Sequence, residues 1–108
     1  MFALFFIIFS VEGHSMEPQF YDEERISVVY APCPVGSVIA VQYKDDMLIK
    51  NLTKVKKDGS IYIEGRNDHW YELEDGVQVE KASLDSDVFG YIPLGEYHID
   101  GCVYKLNL

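Results

Sequence analysis

Short apolar and β-branched runs, each closed by glycine, proline or acidic residues, succeed one another along this chain. That pattern predicts strands, and no window sustains the roughly 3.6-residue period of an amphipathic helix. Residues 1–9 are all apolar and rich in aromatic and β-branched side chains, which predicts a strand buried on both faces. Val11-Glu12-Gly13-His14-Ser15-Met16-Glu17-Pro18 follows. It reads as a strand entering a tight turn that presents Ser15, because Pro18 cannot continue a central strand. Residues 17–25, with Asp22, Glu23 and Glu24 in succession, read as an exposed connection, with room for one helical turn after Ser15.

Further strands are predicted over residues 26–30, 37–43 and 47–55, parted by the Pro32/Pro34/Gly36 loop and a Lys44-Asp45-Asp46 turn. Asp58-Gly59 marks a hairpin that joins 47–55 to a strand over 60–64. Residues 65–69 form a turn, Trp70-Tyr71 resumes an apolar patch, and 77–82 is a strand after Asp75-Gly76. A polar loop over 83–87 precedes strands over 88–92 and 97–108, with Pro93 and Gly95 between them. The whole is predicted to be an all-β chain forming one domain over residues 1–108, large enough for a core of its own.

Composition narrows the partners. Hydrophobic residues make up 48% of the 108 positions, which is the range of folded globular chains. A formal net charge of −9, with Arg25 and Arg66 the only arginines, argues against direct nucleic-acid binding. The one lysine cluster, Lys54, Lys56 and Lys57 beside Asp58-Gly59, reads as a solvated hairpin end. Cys33 and Cys102 have no metal-type spacing and are expected to be two idle thiols in a reducing compartment. The apolar run over 1–9 falls short of the roughly 20 residues of a membrane span and lacks the flanks of a secretory signal. A cytoplasmic chain without membrane contact is therefore expected, a clipped membrane anchor being the competing reading.

Ser15 is the candidate nucleophile, and a serine hydroxyl needs a base to take its proton. Lys50, in Met47-Leu48-Ile49-Lys50-Asn51-Leu52, is the candidate base. Alternation puts Leu48, Lys50 and Leu52 on one strand face, so two leucines flank the amine. A lysine base must be neutral, and apolar burial disfavours its charged form. A downward move of about three pKa units corresponds to roughly 4 kcal/mol. The alternative is a lysine whose stem lies along the sheet while its head reaches water. His14 adjoins Ser15 on an extended segment and so points to the opposite face. His69 and His98 lie in turn-like surroundings, no G-x-S-x-G elbow is present, and no spacing among the histidines suggests a metal site.

Gly13-His14-Ser15-Met16-Glu17-Pro18 resembles the G-x-S-M-x-P signature of the Ser-Lys peptidases that include LexA, UmuD and the phage repressors. Signal peptidases share its S-M-x-P core. Pro34-Val35-Gly36-Ser37-Val38-Ile39-Ala40-Val41 resembles the family's next strand, and Leu48-Ile49-Lys50-Asn51-Leu52 its lysine strand. Asp58-Gly59-Ser60-Ile61-Tyr62-Ile63 is similar to the hairpin that follows. Arg66-Asn67-Asp68 and Gly101-Cys102-Val103-Tyr104 are similar to a later asparagine turn and closing strand. The likeness covers residues 11–71 well and the remainder weakly. Glu23-Glu24 stands where the family has Gly-Asp, Ser37 replaces an acid, and Asn51 an often basic residue.

The resemblance implies a LexA/signal-peptidase-like fold of coiled antiparallel sheets and hairpins. It implies Ser15 as nucleophile, Lys50 as general base and the backbone N–H groups of His14 and Ser15 as oxyanion donors. The implied activity is a serine endopeptidase cutting peptide or protein substrates after small residues, without cofactor or metal. The implied assembly is a homodimer, for which the apolar closing strand over 101–108 is expected to pair at a sheet edge. LexA-like chains cut themselves at Ala-Gly or Cys-Gly; neither dipeptide occurs here, so self-cleavage is not expected. A membrane-associated signal-peptidase-like protease, and a non-catalytic interaction module with the same fold, are the alternatives.

Overall fold

The computed structural model describes residues 6–65, 69–82 and 90–106; the side chains of His69, Trp70 and Ala82 lie outside that description. Nine strands form among the described residues: β1 (Phe6–Ser10), β2 (Arg25–Val29), β3 (Val38–Tyr43), β4 (Asp46–Val55), β5 (Ile61–Glu64), β6 (His69–Glu74), β7 (Val77–Ala82), β8 (Gly90–Ile92) and β9 (Tyr97–Lys105). All pairings are antiparallel. Seven strands make one sheet in the order β1-β2-β9-β3-β4-β5-β8, and β6 and β7 make a separate two-stranded sheet. The all-β reading is correct. After Ser15, residues 15–19 form turns, and a Phe20 N–H to Met16 C=O bond of 3.0 Å closes a single helical turn that goes no further.

The turn chemistry in the sequence sets several joins. Lys44 and Asp45 both take positive φ (50° and 67°) in the two-residue connection of β3 to β4. At the next hairpin, Asp58 Oδ1 accepts bonds from the backbone N–H and hydroxyl of Ser60 at 2.9 and 2.7 Å. The strand over 77–82 appears with the expected bounds, and its partner β6 runs on through Glu72 and Glu74. The predicted 83–87 loop lies outside the described residues.

β3 is a central strand, and its residues serve the two faces of the sheet in turn. Val38 and Ala40 join a cluster with Val11, Met16, Phe20, Ile26, Val28 and Val103. Ile39 and Val41 join another with Leu52, Ile61, Ile63 and Ile92. A continuous apolar run is what burial on both faces requires.

Two expectations about strand position are corrected. β1 forms, but it is an edge strand paired only with β2, and Phe6, Ile7 and Ile8 are 48%, 41% and 52% exposed instead of buried. The closing strand lies inside the sheet instead of at its edge: β9 pairs with β2 through Cys102–Lys105 and with β3 through Tyr97–Cys102. Its central place depends on Gly101, where an added Cβ would come within 2.2 Å of the Val29 carbonyl oxygen. The outermost strands of the large sheet, among the described residues, are β1 and β8.

The cysteine expectation is also overturned. Cys33 and Cys102 form a disulfide, with Cα atoms 5.6 Å apart. The pairing arises because β9, in the centre of the sheet, carries Cys102 beneath the proline-framed loop that holds Cys33. Among the described residues no helix is long and apolar enough to cross a membrane.

Candidate active site

The loop that carries Ser15 is built from short-range polarity and two apolar anchors. Beyond β1, Val11 pairs with the incoming chain: its N–H donates to Glu24 C=O at 2.8 Å and its C=O accepts from Glu23 N–H at 2.7 Å. Gly13 then takes a φ of +88°, a conformation costly for any residue with a Cβ. Its N–H donates to Asp22 Oδ1 at 2.8 Å. After Ser15, Met16 and Phe20 are buried in the first cluster, and Glu17 N–H closes a turn onto His14 C=O at 3.1 Å. The acidic run over 22–24, read from sequence as an exposed connection, thus fastens the loop by one side chain and two backbone groups.

Lys50 comes from the middle of β4. Ile39 lies directly opposite it on β3, and Leu48 and Leu52, two residues away on either side, pack in the second cluster. The alternation argument therefore gives the right neighbours. The lysine is 1% exposed, and its Nζ donates to Ser15 Oγ at 2.8 Å. The alternative of an amine in water does not hold. Ser15 itself is half-buried.

These two side chains line a cavity of about 310 Å³ whose apolar walls include Phe9, Met16, Ile26 and Leu48. Two strand edges border it. β1 is paired on one side only. The first half of β4, Asp46–Lys50, pairs with β3, while β5 meets β4 only from Asn51 onward. Among the described residues the cavity therefore lies between backbone edges that no strand covers.

His14 stands in a bend just before the turns over 15–19, not on the extended segment expected, so strand alternation does not set its direction. Its Nδ1 pairs with Glu17 Oε2, and its Nε2 stands 3.0 Å from Glu72 Oε1 on β6. The bond to Glu17 raises the imidazole pKa above its ordinary 6.5; partial burial opposes this, and the charges of Glu17, Asp22 and Glu72 reinforce it. His98 is far more exposed, with Nε2 3.5 Å from Asp100 Oδ1, and takes no part in the site. The His69 side chain lies outside the described residues. Among the described residues no three His, Cys, Asp or Glu side chains gather as metal ligands do. Asp22 and Glu72 carried no local sign of their roles, since each acts across a separation that only folding closes.

No protein-family model matches this chain, and no curated protein matches it.

Proposed function

We propose that this chain is a serine endopeptidase in which Ser15 is the nucleophile and Lys50 the general base. One observation carries the reading: a lysine that is 1% exposed, flanked by aliphatic side chains, has its Nζ 2.8 Å from the hydroxyl of a half-buried serine. Burial favours the uncharged amine, the form able to take a proton. In that form the hydrogen bond reverses, and the serine hydroxyl donates to Nζ.

As Oγ bonds to a peptide carbonyl carbon, its proton passes to Nζ and the carbonyl oxygen becomes an oxyanion. The backbone N–H groups of His14 and Ser15 are the donors proposed to receive it. Collapse breaks the C–N bond, and the Lys50 ammonium returns its proton to the leaving amine. Water then attacks the acyl-enzyme with Lys50 again accepting the proton, and collapse breaks the C–Oγ bond as Lys50 passes that proton to Oγ, which releases the acid and restores Ser15. An extended peptide suits the cavity, because the bordering strand edges can supply ladder hydrogen bonds while the apolar walls hold a small side chain.

A serine-directed fluorophosphonate tests the reading. Labelling of the wild type is expected to rise between pH 6 and 10 and to vanish in Ser15→Ala. Labelling that persists in Ser15→Ala would reject the nucleophile.

Two observations favour one particular setting, a membrane-associated protease on an oxidising side of the bilayer, over the cytoplasmic one. Disulfides persist in oxidising compartments, and Cys33 and Cys102 are joined. Phe6, Ile7 and Ile8 expose apolar surface on the strand whose end borders the cavity. Binding to phosphatidylcholine vesicles that is lost on Ile8→Lys would support this setting; a chain that stays wholly in the supernatant would reject it.

A further inference from the structure

His14 touches carboxylates from two different parts of the fold. Nδ1 meets Glu17 of the nucleophile loop, and Nε2 meets Glu72 of the β6–β7 hairpin at 3.0 Å. A neutral imidazole has one N–H and one lone pair; only the imidazolium donates from both nitrogens. The geometry is therefore that of the protonated ring, and loss of the proton would turn a lone pair toward one of the acids. The other charges near this contact are Asp22 in the nucleophile loop and Lys81 on β7, which pairs with Glu74 and also feels Glu72.

The hairpin belongs to a sheet of its own and shares no ladder with the seven-stranded sheet. It projects Tyr71 and Leu73, 60% and 78% exposed, from the face opposite Glu72. His14 does not line the cavity beside Ser15, although Glu12, two residues before it, and Ser15, just after it, do. On the peptidase reading, an extended peptide with its carbonyl at Ser15 has one half in that cavity and the other half outside it.

We propose that His14 is a positioning residue: protonated, it ties the β6–β7 hairpin to the nucleophile loop, and the hairpin so held carries the part of the peptide outside the cavity. This rests on the peptidase reading of Ser15 and Lys50. The sign of its pH dependence follows from the raised pKa. The tie is whole below the ordinary imidazole value of 6.5 and is lost as pH climbs through the higher, folded-state value. Lys50, by contrast, needs to lose a proton to act. Substrate binding should therefore weaken with pH while the chemical step quickens.

The test uses the full chain as wild type, Glu72→Gln, His14→Gln and His14→Arg. Hydrogen exchange reports on the hairpin over 69–82, and kcat and KM are measured from pH 6 to 9 on a fluorogenic peptide extending to both sides of the cut bond. Glu72→Gln and His14→Gln should speed exchange in the hairpin alone at pH 6, by about three- to fivefold, the scale of a partly exposed ion pair. Both should raise KM by a similar factor and remove the rise of KM with pH, and Glu72→Gln should leave kcat within about twofold. His14→Arg, which keeps a permanent cation with several donors, should retain a low KM at every pH. Unchanged exchange would overturn the tie, and faster exchange with an unmoved KM would reduce His14 to a structural contact. A wild type that cleaves no peptide would fail the peptidase reading and the positioning role with it, while the exchange comparison still decides whether the tie exists.

Discussion

Lys50→Met is expected to lower kcat/KM on any peptide substrate by about 10³-fold, within the 10²–10⁴ range of a lost general base. The same substitution should leave the protein as stable as the wild type or more so. Methionine fills nearly the same volume among Leu48, Leu52 and Ile39, and it removes an amine that is 1% exposed. Activity and stability thus move in opposite directions, which distinguishes a catalytic lysine from a structural one. Lys50→Arg should not rescue the loss, because a guanidinium stays protonated throughout the accessible pH range. Kinetics paired with thermal melting check both halves. A Lys50→Met protein that keeps activity within tenfold would remove the base from the mechanism, and one that melts far below wild type would make the lysine a structural element instead.

The sequence made this pair legible because both halves of the argument are local. A glycine, a small nucleophile and a proline lie within six positions, Gly13 to Pro18, and strand alternation sets Lys50 between two leucines. The hairpin at Asp58-Gly59 was legible for the same reason, its turn geometry being carried in its own residues, whereas Asp75-Gly76 announced the strand after it and not the partner β6 before it. Strand order is another matter. The run that became β1 has the composition of a strand buried on both faces, and only its place at the edge of the large sheet leaves Phe6, Ile7 and Ile8 exposed. The final strand reads as an edge but enters between β2 and β3, a consequence of long connections that no local pattern encodes. Glu72 was hidden in the same way, since its contact with His14 joins two elements from different sheets.

Reducing the Cys33–Cys102 bond is expected to destabilise the fold by about 4 kcal/mol, the chain-entropy value for closing a loop of that size, here a sequence separation of 69. For a chain of this length that corresponds to a fall in Tm of roughly 15 °C. The bond fastens the loop over 31–36, whose Gly36 N–H donates to Leu52 C=O at 2.8 Å, to the strand opposite Ile39. Ile39 is in turn the partner of Lys50, so the disulfide lies two strands from the proposed base. The register of β3 on β4, not the disulfide, sets the Lys50 side chain against Ser15. Fluorophosphonate labelling of the reduced protein, measured well below its melting midpoint, should therefore match that of the oxidised protein. Melting curves with and without a phosphine reductant, repeated on Cys33→Ser/Cys102→Ser, check the stability. Equal midpoints within about 2 °C would contradict it, as would two titratable thiols in the native, unreduced protein. Labelling lost on reduction at a temperature where the sheet remains folded would mean instead that the bond holds the dyad in register, and the sulfur bridge would then belong to the mechanism as well as to the fold.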